Sequence, residues 1–198
     1  YNQYLWDFYG KTYVPRGILI VGKNGWLYEP WAVDDYYQTH FHKHAQNADL
    51  MKQQLAKEAK RVNQLQHILE PYGCRLFVTL VPSKDLICPE HLPDKPVTNY
   101  QDTTRMSARF FLEDEYTRLG VNHLNLEHYF LRIKDTIDFM PFPKTGTHWS
   151  KYAALHAADT LVRYMEHLGG INMQNVVVGP RTLTDVQEPD NDLESLLN

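Results

Sequence analysis

What this chain lacks narrows its function before any motif is considered. It has only two cysteines, Cys74 and Cys88. Neither belongs to a Cys-x-x-Cys pair or a zinc-finger spacing, so both read as free thiols or small buried apolar groups. No apolar run reaches the roughly 18 residues that a membrane-crossing helix needs, and no signal peptide is visible. The chain opens on Tyr1, which is compatible with an export signal or membrane anchor lying outside it. There is no basic run with interleaved aromatics, and 24 acidic side chains against 20 basic ones leave a formal net charge of -4, so nothing points to nucleic acid as a partner. Rings, by contrast, are abundant, with 13 Tyr, 8 Phe and 4 Trp. They suit a protein that handles sugars or presents amphipathic surfaces, and many also belong to the core.

From Asn47 onward helical and strand patterns alternate. Met51, Leu55, Ala59, Val62, Leu65 and Leu69 recur at steps of three and four among Lys, Gln and Glu, which predicts a surface helix with one buried stripe. Residues 75–81 are short, apolar and β-branched, the composition of a strand covered on both faces, and Pro82 closes it. After a Pro-rich connection, Thr104 to Leu119 predicts a second helix with Met106, Phe110 and Tyr116 inward, followed by a strand over 121–126. A third helix is predicted over 151–168, with Ala154, Ala158, Leu161, Val162, Met165 and Leu168 as its stripe, and a last strand over 175–178. Such alternation predicts a three-layer α/β domain over 47–198, built on a parallel sheet with ligands at the carboxyl ends of its strands. Residues 1–46 break the pattern. Their Gly17–Tyr28 stretch predicts a hairpin turned by Asn24-Gly25 and packed as a flap on the domain.

The chemistry concentrates around His148, between the Gly-broken run Lys144-Thr145-Gly146-Thr147 and a helix that Ser150 is placed to cap. A helix N-terminus disfavours the imidazolium, leaving a neutral ring fit to act as a general base. Ser83 and Lys84 follow the first strand, where side chains open onto the crevice. Ser83 reads as a substrate contact or an alternative nucleophile, and Lys84 as an anion or oxyanion contact. The plainer reading is that the pair starts a loop and caps residues 85–87. Extended backbone would place His40, His42 and His44 on one face, but Lys43 would repel a cation there, and no metal site is expected.

Three blocks, Gly22-Lys23-Asn24-Gly25-Trp26-Leu27-Tyr28, Val81-Pro82-Ser83-Lys84 and Lys144-Thr145-Gly146-Thr147-His148-Trp149-Ser150, in this order and spacing resemble the SGNH hydrolase-like domain of the AlgX/AlgJ-type alginate O-acetyltransferases. The resemblance implies a flavodoxin-like fold in an extracytoplasmic location, periplasmic or at the cell surface. It implies a polysaccharide substrate and an acyl donor, and is compatible with a membrane-bound O-acyltransferase as partner. It requires neither metal nor organic cofactor. His148 matches the family's catalytic His, and Ser83, Lys84, Thr147 and Trp149 become substrate-contact positions. Two departures stand out. Gly146 occupies the place of the family's Asp, for which Glu127 is a candidate substitute. No serine block follows His148, so the chain is expected to be a truncated piece that lacks its nucleophile and does not turn over. A catalytically silent glycan-binding or scaffold protein and a carbohydrate acetyl esterase are the alternatives.

Overall fold

The structure, a computed structural model, describes residues 19–37, 48–94, 108–173 and 191–193. The domain boundary at 46, the His40-His42-His44 run, Met106 and the strand predicted over 175–178 lie outside them.

Strands β1 (Ile20–Val21) and β2 (Leu27–Tyr28) pair antiparallel, with Ile20 opposite Tyr28 and Val21 opposite Leu27. The turn between them is the one its Asn-Gly pair predicts. Asn24 sits at φ 53°, ψ 27° and Gly25 at φ 74°, and Trp26 N donates to Lys23 O at 3.1 Å, the positive-φ geometry that glycine and asparagine tolerate best. Leu27 and Tyr28 are almost completely buried. Helix α1 (Pro30–Tyr36) follows at once, and its Val33 joins Trp26 and Tyr28 in the main core.

Helix α2 (Ala48–Leu69) packs along α4 (Ala108–Leu119). Ala59 is fully buried there with Tyr116 and Val121, whereas Leu65 is 46% exposed, so the predicted stripe fails at that position. Asn63 Nδ2 and Gln66 Nε2 bind the Leu119 and Gly120 carbonyls at 2.9 and 3.1 Å. The stripe gives way to polar groups that satisfy the end of the neighbouring helix.

Strands β3 (Val78–Leu80) and β4 (His123–Asn125) form a small parallel sheet, Val78 opposite His123 and Leu80 opposite Asn125. Both are half-buried rather than covered on both faces, and Val81 is 51% exposed. The second strand is also shorter than its apolar run suggests. Asn125 Oδ1 accepts from Glu127 N at 2.8 Å and His128 N at 3.3 Å, an N-cap that turns Leu126–Ile133 into helix α5. Leu126 and Phe130 project from α5 into the main core, against Ile87 of the one-turn helix α3 (Lys84–Ile87) and Ala153 and Ala157 of α6 (Lys151–Gly169). Ser150 caps α6 as expected, its Oγ accepting from Ala153 N at 3.1 Å. The buried stripe of α6 is displaced from the predicted one, since Ala153 and Ala157 are covered and Ala158 is exposed.

Candidate active site

The elements converge on a cleft of about 270 Å³ at the carboxyl end of β3. Ser83, Lys84, Thr147, His148 and Trp149 all line it. Ser83 and Lys84 reach it because β3 ends at Leu80 and α3 starts three residues after Val81. Thr147, His148 and Trp149 reach it because Ser150 N donates to Pro141 O at 2.8 Å, fixing the approach of the loop to α6. His148 is exposed at the rim, whereas Trp149 is half-buried and packs against Phe130, ring centroids 5.9 Å apart.

Lys84 is 4% exposed. Its Nζ donates to Leu27 O at 2.8 Å, Lys144 O at 3.0 Å and Gly146 O at 2.8 Å, and lies 5.0 and 5.1 Å from the Trp26 and Tyr28 ring centroids. Withdrawing an ammonium from water costs several kcal/mol. Three hydrogen bonds and two ring faces offset only part of that cost. Burial brings its pKa down to about 7, with the Cys88 thiol and Asp192 pulling the other way. An unfolded lysine holds its proton until about pH 10.4, so between about pH 7 and 10 the unfolded chain binds the extra proton. Stability from this group therefore rises with pH over that window, by up to about 1.4 kcal/mol per pH unit. Denaturant melts of the protein and Lys84→Met at pH 7 and 9 are expected to show this increment in the former and not in the latter.

Sequence reasoning missed two cleft residues and one anchor. Glu29 lines the cleft, and its Oε2 accepts from Thr147 Oγ1 at 2.7 Å. Trp31, in the first turn of α1, lines the same cleft with 56% of its surface open. Asp192 Oδ1 accepts from Thr147 N at 2.7 Å, while Leu193 N donates to Thr145 O at 3.1 Å and the Leu193 side chain is buried with Leu19 and Leu27. The available signals were an acid and an indole directly after the Gly-Trp-Leu-Tyr block, and the apolar Leu193 in an acidic stretch. Glu127 is buried in the first turn of α5 and does not line the cleft. Burial pushes the Cys88 thiol up to about 12, which leaves it unreactive near neutrality. Among the described residues no group of three or more His, Cys, Asp or Glu is arranged to hold a metal, and no helix is long and apolar enough to cross a membrane.

Residues 19–194 match the family model of the SGNH hydrolase-like domain of acetyltransferase AlgX. The chain belongs to that family. Among solved structures it is similar to the O-acetyltransferase domain of Pseudomonas putida AlgJ, at 21% identity and a TM-score of 0.56 over 78% of this chain. The chain spans 49% of that relative's length. No curated protein matches it. The small parallel sheet with its helices is thus the α/β fold of an SGNH hydrolase-like, AlgX-type domain.

Proposed function

We propose that this AlgX-type domain carries the general base of an O-acetyltransferase that modifies a cell-surface or secreted polysaccharide outside the cytoplasm. One observation carries the reading: an exposed imidazole at the rim of a cleft shared with a hydroxyl, a carboxylate and an open indole. His148 takes the proton of a serine hydroxyl as its oxygen attacks the donor's acetyl carbonyl, then returns it to the departing donor oxygen. In the second half the sugar hydroxyl gives its proton to the same ring, attacks the acyl-enzyme and frees the serine. The serine comes either from sequence outside these 198 residues or from Ser83 in the cleft, and the greater length of the matched relative supports the former. Ser83→Ala in the full-length protein separates the two.

Gly146 offers no carboxylate; the carboxylate in the cleft is that of Glu29, which accepts from the hydroxyl of Thr147, the residue before His148. Glu29→Gln is expected to lower turnover by about 10²-fold, less than the 10⁴-fold loss for a carboxylate bonded directly to the imidazole. Glu127→Gln is expected to change stability and not turnover. Trp31 is the ring open to a sugar, since Trp149 is committed to Phe130. Trp31→Ala is expected to weaken polysaccharide binding about tenfold, the order of one aromatic stacking contact, as read by titration with acetylated and unacetylated polymer. Binding without any acetyl transfer or ester cleavage would favour the glycan-binding scaffold, the reading that Gly146 supports. Cleavage of acetyl esters without transfer would favour the esterase.

A further inference from the structure

We propose that Lys84 is the positioning residue of His148, holding the backbone on which the imidazole is mounted through contacts that do not include the ring. Because the His148 side chain is exposed at the cleft rim, core packing does not fix it, and its place is set by residues 144–147 before it together with the Ser150–Pro141 bond after it. That segment holds a buried glycine, Gly146, just before Thr147. Glycine is the residue with the most backbone freedom to lose, so something must restrain it.

The restraints are explicit. Lys144 O accepts from Leu27 N at 3.0 Å, Thr145 O from Leu193 N at 3.1 Å, and Thr147 binds Asp192 and Glu29 through its N and Oγ1, each at 2.7 Å. Each of these is a single bond, and residues 192–193 hold two points of the loop between them. Lys84 alone among them joins β2 to two points of the loop, through Leu27 O, Lys144 O and Gly146 O. In its protonated form Lys84 is a point charge with three donors converging on three carbonyls, which fixes their relative positions better than any single bond does. It stands at the N-terminus of α3, whose Ile87 is fully buried in the main core, so the loop is referred to the rigid part of the molecule. The proposal depends on the catalytic reading of His148 only for its consequence in turnover. The placement of the ring can be tested without any reaction.

The experiment is to follow the His148 ring signals by NMR in the protein, in Lys84→Met and in Lys84→Arg, with the exposed His67 and His167 as internal references. The expected result is one sharp His148 set in the protein, moved or split into several in Lys84→Met and partly restored in Lys84→Arg, with the reference rings unchanged. A folded Lys84→Met whose His148 signals coincide with those of the parent overturns the proposal. Should Lys84→Met fail to fold, the parent protein decides. A slowly exchanging Lys84 ammonium signal with cross-peaks to Leu27 and Gly146 supports the tie, and its absence below pH 6 overturns it. In full-length protein the same substitution is expected to lower kcat about 10²-fold with KM nearly unchanged, the size of effect of a misplaced catalytic group. If the parent shows no turnover, the acyl-transfer reading fails while the ring signals still judge the positioning role.

Discussion

Gly22→Ala is expected to destabilise the protein by about 3 kcal/mol, at the upper end of what overpacking costs. An added methyl group would run into the backbone carbonyl of His91 and lie 2.9 Å from Tyr28 Cε2. Neither neighbour can yield cheaply. Tyr28 is 1% exposed, with its hydroxyl donating to Cys88 O at 2.8 Å, and the His91 ring is stacked on Trp26 with centroids 4.0 Å apart and planes 10° from parallel. Gly22 is therefore the point at which the β1–β2 hairpin is pressed onto the turn after Cys88. Forcing the two apart disturbs β2, which supplies Leu27 O to Lys84 and leads directly into Glu29. Thermal melts are expected to show a fall of roughly 10 °C for a chain of this size. Gly169→Ala is the control. At the end of α6 the added methyl meets only the Ile171 side chain, at 3.3 Å, and the better helix propensity of alanine makes the change nearly neutral or slightly stabilising. Equal effects at the two glycines would refute the close approach at Gly22.

The fold was legible in the sequence wherever periodicity and punctuation agreed. The Asn24-Gly25 turn, the end of α4 before Gly120 and the Ser150 cap of α6 each rest on one local preference that the tertiary structure does not oppose. Helix α5 was lost because Val121–Leu126 reads as an apolar run, although Asn125 as a cap and Leu126, Phe130 and Ile133 at helical spacing carried the contrary signal. In α6 a pattern of small and large apolar side chains fits two adjacent stripes, and close packing against Phe130 and Leu126 selects the one with Ala153 and Ala157. At the site, the cleft residues announced by local motifs, from Ser83 to Trp149, do line one cavity. Glu29, Trp31 and Asp192 were not legible as site residues, because their relevance comes from contacts across 118 and 45 positions of sequence in the case of Thr147 with Glu29 and Asp192. Lys84 was legible as a cleft residue but not as a cross-tie, since nothing local shows that its ammonium meets three carbonyls of distant segments.

His148→Ala is expected to have the largest functional effect of any single substitution in the cleft, a fall in turnover on the order of 10³-fold or more, because the proposed mechanism uses the ring in both of its halves. Its effect on stability is expected to be small, within about 0.5 kcal/mol, because the side chain is exposed at the rim and surface truncations of this kind cost little. The pairing of a large kinetic loss with an unchanged melting curve distinguishes a catalytic imidazole from a structural one. No other cleft variant proposed above combines the two so sharply. Glu29→Gln acts through Thr147, and Lys84→Met removes buried hydrogen bonds as well as a positioning contact.

The most direct measurement is therefore acetyl transfer to polysaccharide, with acetyl-ester cleavage in parallel, by full-length protein and its His148→Ala variant at matched fold stability. Loss of both activities in the variant, with binding of the polymer retained, is the result expected of a base at the rim of this cleft. Equal rates in the two proteins would contradict it and remove His148 from the chemistry.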